Sequence, residues 1–91
     1  MDIEIEIGPG GKVSLDTPQQ QWHDEADVVQ FARFAGQEMM VTRVSDDEPN
    51  VFELHYLGLV ASGFESVDQA KAAASAFAKE VFHYLNNMIR D

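Results

Sequence analysis

The longest regular pattern in the chain is an apolar stripe near its carboxyl end. Apolar side chains recur there at intervals of three and four, at Val67, Ala70, Ala74, Phe77, Val81, Tyr84 and Met88. This spacing places them on one face of an α-helix. Ser66 followed by Gln69 has the spacing of a capping box, so we expect the helix to begin near residue 67 and to end near residue 89. The many alanines give this helix high propensity and a thin surface that can lie close to a sheet.

The amino-terminal residues have the period of a β-strand instead. Isoleucines and acids alternate there, in the order Asp2, Ile3, Glu4, Ile5, Glu6, Ile7. The alternation predicts a strand with one face on the core and one acidic face in water. Pro9, Gly10 and Gly11 favour a tight turn, after which residues 12–15 would return as a second, antiparallel strand.

A first helix is predicted between this hairpin and residue 36. Thr17, Pro18 and Gln20 combine an N-cap residue, a proline at the first helical position and a glutamine three residues after the cap. The predicted inner stripe consists of Val28, Phe31, Ala32 and Ala35, and Gly36 follows as a stop signal.

Two further strands are predicted in the middle of the chain. Residues 38–45 are rich in β-branched side chains, and both faces of this strand are partly apolar. Residues 51–61 form the next predicted strand, with Phe52, Leu54 and Tyr56 on one face and Glu53 and His55 on the other. Gly58 lies inside this segment and is expected to mark a bulge or bend.

These elements predict a single α+β domain over residues 1–91. The order is ββαββα, which we interpret as a two-layer fold with a four-stranded antiparallel sheet and two helices packed on one face. The other face of the sheet would then lie in water and carry the acids.

Composition restricts the function more than any motif does. The chain of 91 residues contains no cysteine and carries a net charge of -10, from 16 acids and 6 lysines and arginines. Such a charge disfavours direct binding to nucleic acid and to acidic membranes. The sequence has no apolar run near the ~20 residues of a membrane span, and we expect a soluble protein of the cytoplasm.

Two surfaces are candidates for binding. The first is the acidic outer face, which we predict to bind a basic surface of a partner protein, including one that otherwise holds nucleic acid; its residues are Asp2, Glu4, Glu6, Glu53 and His55. The second is surplus apolar surface that predicts a homodimer, because large exposed patches usually mark association; its residues are Leu57, Leu59, Phe82, Leu85 and Ile89.

Catalytic, metal and cofactor sites are not predicted. His23 and Asp27 are four residues apart on the predicted first helix, but two ligands do not make a metal site. The chain lacks a nucleophile elbow, a phosphate loop and a dinucleotide-binding glycine pattern. We therefore expect a small acidic regulator or inhibitor and no enzyme. The alternatives left open are a homodimeric structural domain whose acids only confer solubility and, more weakly, a metal-dependent enzyme or a nucleic-acid binder.

The segment ASGFESVDQAKAAASAF, residues 61–77, resembles a strand, turn and alanine-rich helix of two known groups. These are the folds related to double-stranded RNA-binding domains and the small antitoxin domains of the HicB type. The resemblance rests on capping and packing residues. Only Lys71 and Lys79 are basic here, so the lysine cluster needed for RNA recognition is missing and no functional residue is carried over.

Overall fold

The computed structural model of the chain describes residues 2–6, 8–9, 18–24, 29–45 and 47–90. Within these ranges there are five β-strands and one α-helix. The strands are β1 (His23–Asp24), β2 (Gln30–Phe34), β3 (Gln37–Ser45), β4 (Glu48–Tyr56) and β5 (Leu59–Phe64), and the helix is α1 (Val67–Asn86). All neighbouring strands are antiparallel and lie in the order of the sequence, β1-β2-β3-β4-β5.

Two of the hairpins are closed by two-residue turns with the same backbone geometry. Ala35 and Gly36 join β2 to β3 with φ angles of 53° and 76°, and Leu57 and Gly58 join β4 to β5 with 50° and 80°. Positive φ at both central residues is the property of a type I′ turn, whose twist matches that of the flanking strands. Glycine adopts this conformation freely, whereas alanine and leucine do so at a cost.

The core lies between α1 and one face of the sheet. α1 packs against β3, β4 and β5. Alternate strand residues and one stripe of the helix are buried here, at Ala32, Phe34, Met39, Val41, Phe52, Leu54, Tyr56, Ala70, Ala74, Ala78 and Val81. The Tyr56 hydroxyl donates a hydrogen bond to the Phe34 carbonyl, which ties β4 to β2 across β3.

The prediction of the carboxyl-terminal helix is confirmed, although α1 ends at Asn86 rather than near residue 89. Ser66 is the N-cap, and its hydroxyl accepts a hydrogen bond of 3.0 Å from the Gln69 N–H. The Gln69 side chain reaches back to the N–H of Glu65 at 2.6 Å, one residue before the position it has in a standard capping box. No helix in the described part of the chain is long and apolar enough to cross a membrane.

The predicted fold class is wrong in its number of strands and helices. The structure has a five-stranded sheet with one helix, not a four-stranded sheet with two helices in the order ββαββα. The predicted first helix accounts for most of the error, because its described residues include β1 and β2 and no helical residue. Ala32 and Phe34 are both buried, so the period there is two, and Gly36 belongs to a turn rather than to the end of a helix.

The middle strands are closer to the prediction. The strand predicted over residues 38–45 is confirmed as β3, with Gln37 added at its start. The single strand predicted over residues 51–61 is wrong, because Leu57 and Gly58 turn the chain and divide it into β4 and β5. Gly58 therefore closes a hairpin instead of marking a bulge.

The prediction for the amino terminus is also not met where the structure describes it. Residues 2–6 belong to no strand, and the side chains of Ile3 and Ile5 are 74% and 93% exposed instead of facing the core. Ile7 and the strand predicted over residues 12–15 lie outside the described residues.

Candidate protein-binding surfaces

The face of the sheet opposite α1 carries a row of side chains that crosses all five strands. The register pairs His23 with Phe31, Phe31 with Met40, Met40 with His55, and His55 with Val60. Residues paired in this way point to the same face, and on β2, β3 and β4 they alternate with the buried core residues. We call this row the open face. Its three central side chains are partly buried, and the two end residues are exposed.

An arginine and an aromatic ring lie side by side on the open face. The guanidinium carbon of Arg33 lies 5.9 Å from the centroid of the Phe31 ring. On the neighbouring strand, the centroid of the His23 ring lies 5.5 Å from that of the Phe31 ring. Arg33 is paired in register with Glu38 on β3. This mixture of aromatic, methionine and arginine side chains is enriched at protein interfaces.

Glu53 and His55 lie together on the same face, as the alternation along β4 predicts. The Nε2 atom of His55 is 3.2 Å from the Oε1 atom of Glu53, and the side chains of His55 and Glu53 are 34% and 26% exposed. The pair is therefore accessible enough to form hydrogen bonds with a docked partner.

The other three residues of the predicted acidic surface lie on a separate segment. Asp2, Glu4 and Glu6 are exposed within residues 2–6, which we call the acidic arm. Among the described residues, no hydrogen bond or ion pair joins the arm to Glu53 or His55. The structure thus brings together two of the five predicted residues and places the remaining three on the arm.

The described carboxylates form no ion pair with the lysines and arginines that the structure describes. Within the described ranges the structure has one ion pair closer than 4.0 Å, between Glu53 and His55. The carboxylates of the arm, of Asp47 and Glu48 at the β3–β4 turn, and of Glu65 at the end of β5 are exposed. Their field is therefore available to an approaching partner.

The residues predicted to form a dimer surface are spread over one end of the domain. Leu57, Phe82 and Ile89 are exposed by 38%, 43% and 74%, whereas Leu59 and Leu85 are partly buried against the core. The Phe82 ring packs at 5.8 Å from that of Tyr56, edge to face, so part of its surface contributes to the core.

A groove between β5 and α1 was not predicted from the sequence. It has a volume of about 300 Å³ and is lined by Leu59, Val60, Phe77, Glu80, Val81 and Tyr84. Phe77 and Tyr84 were assigned to the buried stripe, but Tyr84 is 55% exposed. The sequence signal for this groove is the wide arc of apolar residues near the end of α1. A stripe that packs on the sheet needs only part of that arc, so the rest stays exposed.

Two residues of the open face were also missed, because Phe31 was assigned to a helical core and Met40 to a strand of uncertain facing. The apolar character of both faces of residues 38–45 was the signal for Met40. No three His, Asp or Glu side chains in the described ranges could together hold a metal ion, and Asp27, considered above with His23, lies outside those ranges.

Comparison with known proteins finds no relative of this chain. No protein-family model, no curated protein sequence and no solved structure matches the chain significantly. The functional argument therefore depends on the residues and geometry of this chain.

Proposed function

We propose that this chain is a protein-binding module that docks on a basic surface of a partner protein and acts as a regulator or inhibitor. The main support is the acidic arm, whose three carboxylates are exposed and have no lysine or arginine partner among the described residues. They belong to a chain with a net charge of -10. A partner that supplies lysines and arginines would make favourable contacts that the described residues do not make with one another.

The spacing of the arm supports a partner surface that also accepts nucleic acid. In an extended chain, alternate residues lie about 6.7 Å apart on the same side. Asp2, Glu4 and Glu6 can then present regularly spaced negative charges along one line, as a nucleic-acid strand does. The partner would be a protein whose basic groove is blocked when the arm occupies it.

The open face supplies the second part of the proposed contact. Phe31 and Met40 offer apolar area, while Arg33 and the Glu53–His55 pair offer hydrogen bonds beside them. Charges at the rim of an interface mainly raise the association rate, whereas buried apolar contacts slow dissociation. The cytoplasm remains the proposed location, since a chain without cysteine needs no oxidising compartment.

The test compares two variants with the same change in net charge. Glu4→Lys/Glu6→Lys reverses the arm, and Asp47→Lys/Glu48→Lys reverses two exposed acids at the β3–β4 turn. Each bait is used to capture proteins from the host lysate at low and high salt, with identification by mass spectrometry.

We expect wild type and the turn variant to retain a basic nucleic-acid-binding protein that the arm variant loses, and high salt to release it. The purified partner should also give up a labelled DNA duplex when wild type is added. Equal capture by the arm variant, or DNA that stays bound, would refute the proposal.

A homodimeric structural domain is the second candidate function. The exposed apolar side chains at one end of the domain, among them Leu57 and Ile89, favour it. In this case the acids serve solubility only, and both charge variants would leave every functional readout unchanged. A metal-dependent enzyme or a direct nucleic-acid binder is supported by no geometry in the described residues.

A further inference from the structure

We infer that the acidic arm of one copy of this chain adds as a sixth strand to the β5 edge of a second copy, with Ile3 and Ile5 seated in the groove between β5 and α1. The inference goes beyond the proposed docking function and depends on the apolar side chains of the arm, not on its acids.

Among the described residues, no segment pairs with the outer edge of β5, and this edge lacks the usual protection. β5 is the last strand of the sheet, and its residues, Leu59–Phe64, include no charged side chain and no proline. Every second residue of an edge strand directs its N–H and C=O away from the sheet, where they can pair with another strand. The pairing of β4 with β5 shifts register between Phe52 and Leu54, and Gly63 has a φ of 92°. The regular part of the edge is therefore residues 59–61.

The groove along this edge is lined mostly by apolar side chains. Phe77, Val81 and Tyr84 line it from α1 together with the acid Glu80, and Leu59 and Val60 border it from β5. Leu59 is paired with the buried Tyr56 and so faces the core side, whereas the Val60 side chain lies on the open face. Phe77 and Val81 lie one helical turn apart, about 6 Å along the axis. Alternate residues of a strand lie about 6.7 Å apart, so two isoleucines on one strand face can follow this spacing.

The arm has the sequence that such an edge accepts. Ile3 and Ile5 alternate with acids, and their side chains are 74% and 93% exposed in the single chain. This exposure shows that the arm does not occupy its own groove. When it pairs with β5, the isoleucines face the groove and Asp2, Glu4 and Glu6 face the open side of the sheet. The acids then meet a strand without charge, so no like-charged pair lies directly opposite.

The length of chain between arm and domain allows exchange. Twelve residues from Glu6 to Pro18 span at most about 40 Å. The chain returns to the domain at the edge far from β5, where the Gln20 N–H donates to the Arg33 carbonyl at 2.7 Å and the Gln19 side chain accepts from the Gly36 N–H at 2.8 Å. An arm attached at that edge can extend outward to a neighbour, and reciprocal exchange closes a two-fold dimer.

The buried area indicates a weak dimer. A five-residue strand is about 17 Å long in a sheet about 10 Å thick, so two exchanged arms bury on the order of 700 Å² in total. Stable interfaces bury about 1,200 Å² or more. The dimer should therefore dissociate on dilution unless the end of α1 is covered as well.

The absence of cysteine allows a direct test by disulfide trapping. An Ile5→Cys variant is mixed with a Tyr84→Cys variant of different mass under mild oxidation, at about 1 mM protein where weak interfaces form. The mixed disulfide should exceed that of the matched control pair, Glu4→Cys with Tyr84→Cys, by at least about tenfold. The control places its thiol on the opposite face of the added strand. Equal yields would overturn the inference. A chain that carries both Ile5→Cys and Tyr84→Cys should form its disulfide between two copies, and an intramolecular disulfide would also overturn the inference.

Light scattering provides a second readout that separates this inference from the docking proposal. Ile3→Ser/Ile5→Ser should give a monomer with unchanged melting, while Glu4→Lys/Glu6→Lys keeps the isoleucines and should remain dimeric. Salt should strengthen the dimer, because it screens two copies of like charge, whereas it weakens docking on a basic partner. A wild type that is monomeric at about 1 mM in high salt would overturn the inference and leave the docking proposal unaffected.

Discussion

The substitution Ala35→Asn tests the hairpin that replaces the predicted first helix. Ala35 is exposed and has a φ of 53°, followed by Gly36 with a φ of 76°. Asparagine and glycine form the preferred pair of a type I′ turn. We therefore expect the substitution to stabilise the protein, although it would destabilise a helix.

The size of the effect follows from the backbone. The left-handed conformation costs an ordinary L-residue roughly 1–2 kcal/mol, and asparagine tolerates it better because its side chain can hydrogen-bond locally. A gain of about 1 kcal/mol is expected from this relief. In a helix, the same replacement would lose up to about 0.7 kcal/mol, since alanine has the highest helical propensity. The two structures thus predict opposite signs.

The assay is urea unfolding followed by the fluorescence of Trp22, whose ring lies 5.9 Å from that of Phe34 beside this hairpin. A gain of about 1 kcal/mol raises the midpoint by roughly 0.3–1 M urea for a domain of this size. Ala72→Asn is the matched control, because Ala72 is exposed within α1 and should lose stability. A lower midpoint for Ala35→Asn would refute the turn.

Three other changes follow from the core and the helix cap. Leu54→Ala should reduce the free energy of unfolding by about 2–5 kcal/mol in urea, because Leu54 is 0% exposed on a central strand. Ser66→Ala should lose about 1 kcal/mol and lower the melting temperature measured by circular dichroism, since the hydroxyl caps the Gln69 N–H. Burial raises the pKa of Tyr56 above its usual 10.0. The neutral form is therefore favoured in the folded state, and the contribution of Tyr56 to stability should be constant below pH 10 and fall as pH rises above it. Tyr56→Phe should remove that part of the fall in pH-dependent melting, and an unchanged profile would contradict the assignment.

The elements that could be predicted are those in which several signals agree. For α1, a long stripe with a period of 3.6, many alanines and an N-cap serine all indicate one helix. For β3, a run of β-branched residues is decisive. The facing of Glu53 and His55 follows from strict alternation along β4, so this part of the candidate site was predictable.

The segment before Gly36 could not be assigned because its signals conflict. Ala32 fits both a helical stripe and a strand, and a glycine ends a helix as readily as it completes a turn. The strand becomes evident only from Phe34, which is buried with Ala32 while Phe31 lies on the open face. Alanine and leucine are unusual at positive φ, so neither Ala35 nor Leu57 signalled a hairpin.

Phe31 on the open face and the groove beside α1 were missed because of the same error. The predicted first helix would have packed on the same side of the sheet as α1, and without it Tyr84 of α1 is 55% exposed. Which surfaces are exposed depends on which elements pack together. From a single sequence they can be predicted only where the elements themselves are predicted correctly.

The central claim is that the carboxylates of the arm, and not net charge alone, recruit a basic partner. Isothermal titration of a decalysine peptide into wild type, Glu4→Lys/Glu6→Lys and Asp47→Lys/Glu48→Lys at low salt measures this directly. The account predicts that the dissociation constant of the arm variant rises at least tenfold, equal to about 1.4 kcal/mol, whereas that of the turn variant rises less than about threefold. Equal weakening in both variants would contradict it.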